Sequence, residues 1–156
     1  MKLSETFQYE GASVDAVYGL ITDQAFRSEA CEDQGALEYE VGVDGGTVSL
    51  SRTMPAEVPD FVKKLTGSTV KVKQTEQWTD AGDGSRTASV KVSIVGQPAE
   101  MLGTATLAPK GDGTTFTVEG NVKVSIPLIG KKFEGEFHKQ IVKSLRKEVE
   151  LGLTKL

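Results

Sequence analysis

Ile126-Pro127-Leu128-Ile129-Gly130-Lys131-Lys132-Phe133-Glu134 opens the stretch on which the reading of this chain turns, and the stretch runs on to Leu156. It carries the pattern of a long helix, whereas almost everything before it carries the pattern of strands. Ser125 is placed to cap the helix, and Pro127 to occupy its first turn, where a missing N–H does no harm. At 100° per residue, Phe133, Phe137, Ile141, Val142, Leu145 and Val149 share one arc, with Lys132, Lys139, Lys143, Arg146 and Glu150 opposite. One face is therefore built to lie on something apolar. A helix of about 25 residues is roughly 37 Å long, enough to cross a sheet of ten-residue strands.

The preceding chain supplies such a sheet. Leu3, Glu5, Phe7 and Tyr9 alternate with polar residues as in a half-buried strand, and Gly11 ends it. Ser13 then caps a short helix through Val14, Val17, Leu20 and Ile21; Thr22 or Asp23 caps a second, which ends at Gln34-Gly35. From Ala36 the pattern becomes strands joined by glycine turns. Leu37 to Val43 and Val48 to Met54 flank Asp44-Gly45-Gly46, the mark of a hairpin. Pro55 and Pro59 interrupt the strands, and Asp60 to Leu65 can form one helical turn closed by Gly67, a cover or flap. Four more strands follow, carried by Val70 to Trp78, Ala88 to Ile94, Met101 to Leu107 and Phe116 to Val124. Strands of this kind leave one face wet and one covered, and the C-terminal helix is the available cover.

At 156 residues the chain is expected to form one domain, 1–156, with no internal repeat or linker to divide it. A net charge of −4 argues against nucleic acid as a partner, because that affinity rests on a basic surface. Charge is unevenly spread: Lys2 and Arg27 are the only bases in residues 1–40, while the last thirty residues are base-rich. Cations late in a helix complement its dipole, and the same face offers a surface to anionic lipid or an acidic partner. Cys31 stands alone, which rules out an internal disulfide and a cysteine-based zinc site. The first residues lack a signal-peptide pattern, and no run approaches the eighteen apolar residues of a membrane span. The expectation is a cytoplasmic protein without stable membrane insertion, its protein partner, if it has one, unspecified.

The order strand, two short helices, six strands, long helix resembles the START-like helix-grip (SRPBCC) superfamily. The resemblance implies an α+β fold in which a curved seven-stranded antiparallel sheet wraps a long C-terminal helix, with two short helices after the first strand. The segment 126–134 quoted above also resembles an actinobacterial branch described as a domain of unknown function. The superfamily implies a cavity between sheet and helix that receives sterols, lipids, polyketides or other apolar molecules. In some branches it also implies cyclisation or dehydration of such molecules.

If the apolar parity faces inward, the candidate ligand-binding residues are Phe7, Tyr9, Tyr39, Leu50, Met54, Trp78, Val92, Met101, Phe116, Phe133, Phe137 and Ile141, with the polar Arg52, Glu76, Glu134 and His138. Many other inward positions are Val, Ala or Gly, which leaves room. A dry void of about 300 Å³ costs on the order of 7 kcal/mol, so any such space holds side chains, water or ligand. An inward charge requires a partner. The pairing expected is Arg52 with Glu76 or with Glu134, and the same cluster can fix the polar end of an apolar ligand. Glu134 and His138, one helical turn apart, form the candidate general-base pair of a catalytic alternative. They lack a third ligand for zinc, so no metal and no cofactor is expected, and no catalytic residue is assigned. The function expected is binding or carriage of a small hydrophobic or lipid-like molecule. The alternatives are an enzyme of the polyketide cyclase or aromatase type and a protein-interaction module using the basic helix face.

Overall fold

A computed structural model describes residues 1–156, and its elements follow the expected order. β1 (Lys2–Tyr9) leads to α1 (Val14–Ile21) and α2 (Gln24–Asp33). β2 (Glu38–Asp44) and β3 (Thr47–Pro55) form the first hairpin, and α3 (Asp60–Thr66) is the short covering helix. β4 (Thr69–Asp80), β5 (Arg86–Ile94), β6 (Ala99–Lys110) and β7 (Gly113–Val124) complete the sheet, and α4 (Gly130–Leu153) closes the chain. The seven strands are ordered β1-β7-β6-β5-β4-β3-β2, every neighbouring pair antiparallel, so β2 to β7 form a continuous meander and β1 returns to pair with β7. This is the helix-grip arrangement.

The local chemistry explains the element boundaries. The Ser13 hydroxyl accepts from the Ala16 N–H at 3.1 Å, and the Asp23 carboxylate accepts from the Phe26 N–H at 3.1 Å, so both short helices have side-chain caps. α1 is tied to the sheet by Tyr18, whose ring meets Trp78 edge-on and carries the Arg86 guanidinium 3.9 Å above its centre.

α4 begins later than the sequence suggests. Ser125 does not cap it: the Ser125 N–H donates to Pro98 O at 2.9 Å, and the cap position is Ile129, with no side-chain cap. Pro127 lies outside the helix. The cause is Leu128, which adopts a left-handed φ of 70° and turns the chain before Gly130. Gly130 is needed at the entry because a Cβ there would stand 2.7 Å from Val124 O. From that point the expected arc holds. Phe133, Phe137, Ile141 and Val149 are buried, and Val142 and Leu145 pack against the same core. Each fully buried side chain of this size contributes about 1.5–3 kcal/mol, so this face anchors the helix across the sheet.

Gly103 and Gly120 are cross-strand partners at the middle of the covered face, where β6 and β7 approach each other closely. In an ordinary ladder a Cβ stands clear of the neighbouring backbone. Here it would not, which marks a bend that curls the strands over α4.

Candidate functional site

Two adjacent spaces lie between the sheet and α4. The larger, about 120 Å³, is bounded by α4, by the ends of β3, β4 and β5, and by the segment from Pro55 through α3. The smaller, about 50 Å³, lies deeper under α2 and the centre of the sheet. They share Gln34, Arg52, Ile141 and Ser144. Left dry and unrelaxed, the larger space alone costs on the order of 3 kcal/mol. Its scale is that of the roughly 150 Å³ cavity known to accept benzene, which suits a single ring or a short chain better than a sterol.

The expected site residues divide clearly. Arg52, Met54, Phe133, Phe137 and Ile141 line the larger space. Arg52, Glu76, Trp78, Val92, Met101, Phe116 and Ile141 line the smaller. Phe7, Tyr9, Tyr39, Leu50, Glu134 and His138 line neither. Phe7 and Tyr9 instead pack against Phe116, with ring centres 6.1 and 6.2 Å apart, and Leu50 belongs to the core. The Tyr39 hydroxyl donates to Glu32 at the surface. Glu134 is turned away from the interior: it pairs with the Met1 amino group at 3.1 Å and accepts from the Val124 N–H at 3.3 Å. Those bonds hold its carboxyl below the usual carboxylate range. The proposed general-base pair therefore does not face the space it was meant to serve.

The polar centre is built around Arg27, which carried no expectation. Its guanidinium is 3% exposed and makes a two-pronged pair with Glu76, Nη1 to Oε1 at 2.9 Å and Nη2 to Oε2 at 2.7 Å. Nη1 also donates to Ile21 O at 3.0 Å, and Nε lies 3.0 Å from Glu148 Oε1. Glu76 accepts further from Trp78 Nε1 at 3.0 Å and Gln74 Nε2 at 2.6 Å. The expected partner of Glu76 is Arg52, but Arg27, reaching from α2, fills that position and holds both Glu76 oxygens.

A trace of this was present in the sequence. Arg27 is four residues before Cys31, on the apolar stripe of α2, and Glu148 is seven residues after Ile141, on the stripe of α4. Helical periodicity marks these residues as facing inward but does not say which charges meet.

The electrostatics follow from burial and pairing. Burial pushes the Glu76 carboxyl up, but the Arg27 charge and the hydrogen bonds from Arg27, Trp78 and Gln74 outweigh it, leaving the group below its usual range. Glu148 goes the other way: burial lifts it further than Arg27 can lower it, and Glu76 adds to the lift. Burial also raises the Cys31 thiol, as suits a structural rather than a reactive cysteine.

Arg52 differs from Arg27. It is 8% exposed, yet none of the ion pairs includes it; its Nη1 donates to Gln74 Oε1 at a long 3.5 Å, and the Cys31 thiol lies beside it. Burial depresses its basicity.

The mouth of the larger space lies between the Glu57 segment and α4. Lys143 reaches Glu57 Oε2 at 3.3 Å, and Gln140 Nε2 donates to Glu57 O at 3.4 Å. Both ends of that ion pair are solvent-exposed, so it is worth at most about 1 kcal/mol and resists opening only weakly.

A profile of the family described as "Protein of unknown function (DUF2505)" matches residues 4–156. Uncharacterized proteins of Mycobacterium tuberculosis and Mycobacterium bovis are each 32% identical over 139 residues, covering 81% of this chain and 79% of theirs. Among solved structures, a STAR-related lipid transfer protein fragment from Xanthomonas axonopodis superposes with a TM-score of 0.61 at 19% identity, covering 94% of this chain and 84% of the other. The Zhui aromatase/cyclase from Streptomyces superposes at 0.64 with 10% identity, covering 99% and 92%. At such identities the likeness is one of fold.

Proposed function

The chain belongs to the family described as Protein of unknown function (DUF2505), and from that premise we propose that it binds a small apolar molecule between its sheet and α4. The observation that carries this reading is the pair of adjacent spaces, walled by Met54, Val62, Val72, Ile94, Phe137 and Ile141 and floored by a polar centre. A site of that make-up gains free energy from apolar contact and gains orientation from a few placed polar groups. The structural likeness to a lipid transfer protein and an aromatase/cyclase is consistent with a binding role and leaves the ligand open. The size of the space favours a ring or a short chain. Binding without catalysis is preferred over the enzymatic alternative because Glu134 and His138 lie away from both spaces.

Native mass spectrometry of protein purified from its own host, followed by solvent extraction, tests this reading. One small apolar molecule per chain is expected. Protein that carries nothing and takes up no apolar probe would contradict it.

A further inference from the structure

We propose that Arg52 receives the carboxylate of a small apolar monoanion, whose ring or chain lies in the larger space. This rests on the reading that the space binds a small apolar molecule and assigns the chemistry of its polar end.

Three observations lead to it. Arg52 lines both spaces, so a group beside it has apolar room on one side and the polar centre on the other. Arg52 is a buried residue, and its neighbours in contact are Gln74, at a long 3.5 Å, and the Cys31 thiol, neither of them a carboxylate. The other buried guanidinium, Arg27, already holds Glu76 by two prongs and has Glu148 at its Nε, so it has little left for a ligand. A buried cation without a carboxylate is costly, and an anion brought by the ligand offsets that cost.

The charge on the ligand follows by the same reasoning. The groups around Arg52 are Cys31 from α2, Glu148 from α4, and Arg27 and Glu76. Glu76 and Glu148 are both held by Arg27, so neither carboxylate is in contact with the forked donors of Arg52, and one anionic group can take that place. A single negative charge suffices, and a dianion would carry an unmatched one into the interior. The planar, forked guanidinium fits a carboxylate, which it can hold by two parallel bonds. On the other side, Val62, Val70, Val72, Ile94 and Phe137 offer only apolar contact.

The test titrates the full chain by calorimetry with benzoate and hexanoate, and with the uncharged benzyl alcohol and 1-hexanol. Each acid is expected to bind at least roughly tenfold tighter than its alcohol, since a desolvated charge-assisted pair exceeds a neutral hydrogen bond by at least this much. Arg52→Gln is expected to abolish that preference, and Arg52→Lys to recover part of it. Equal affinity of acid and alcohol for the unaltered protein would overturn the assignment of Arg52 and leave the apolar site standing; this comparison needs no variant. Preference for the acid persisting in a folded Arg52→Gln protein would also overturn it. If neither acid nor alcohol binds, the proposed function fails, and this assignment with it.

Discussion

Arg27→Met is expected to cost about 3–5 kcal/mol of folding stability at pH 7, enough to leave a domain of this size marginal or unfolded. The change strands two buried carboxylates together: Glu76 loses both prongs of its pair, and Glu148 loses the cation 3.0 Å away. The penalty should depend on pH in a defined direction. In the unaltered protein Glu76 sits below the ordinary carboxyl value of 4.5, so it contributes stability that is present above that value and lost in acid. Glu148 sits above 4.5 and therefore costs stability at neutral pH, a cost relieved as pH falls through its raised value. Without Arg27, burial is left to raise both groups. The folded chain then binds more protons than the unfolded one above pH 4.5, so the variant should regain stability between pH 7 and about 5. Urea denaturation followed by the fluorescence of Trp78 measures this. Adding Glu76→Leu, Glu148→Leu and Arg52→Met, which replaces the buried ionic cluster whole by apolar groups, should recover most of the loss, because such a replacement is often neutral. A loss under 1 kcal/mol, or one independent of pH, would show that the cluster is not paired as described.

Gly103→Ala is expected to cost at least about 3 kcal/mol, more than the loss of a surface contact and comparable with a core cavity. An added Cβ would stand 2.2 Å from Glu119 O and 2.8 Å from Gly120 Cα. Both are backbone atoms, so relief requires the β6–β7 ladder to unbend. The partner position is equally tight, with Gly120 facing Leu102 O at 2.6 Å and Met101 Sδ at 2.8 Å. Gly42→Ala is the matched control: its Cβ would meet only Ser49 O, at an ordinary 3.9 Å, and should change stability by less than about 0.5 kcal/mol. Thermal unfolding of the two variants distinguishes them, and equal midpoints would remove the bend from the account.

The sequence shows the fold more fully than the site, and the residues explain why. Period-two alternation and glycine turns are local signals, so the strands and hairpins of β2 to β7 could be read without knowing their partners. Ser13 and Asp23 cap helices through bonds spanning three residues, which is also local. The start of α4 was misjudged because Pro127 suits a first helical turn, and nothing nearby announces that Leu128 turns left-handed. The site depends on which of several inward charges meet across distant elements. Glu134, Ile141 and Glu148 lie on one line of the helix at seven-residue spacing. Ile141 and Glu148 face the interior, whereas Glu134 is held outside by Met1 and Val124 near the helix entry. Periodicity gives the face of a helix, and only the packed sheet shows how far along that face the interior extends.

The binding site proposed for a small apolar molecule is the space between the sheet and α4. Methyl-resolved NMR during titration with benzyl alcohol tests it most directly. Saturable shifts are expected at Val62, Val72, Ile94 and Ile141, which wall the larger space, with none at the fully exposed Leu128. Shifts confined to exposed methyls such as Leu128 and Leu156, or no saturation at the four interior residues, would contradict it.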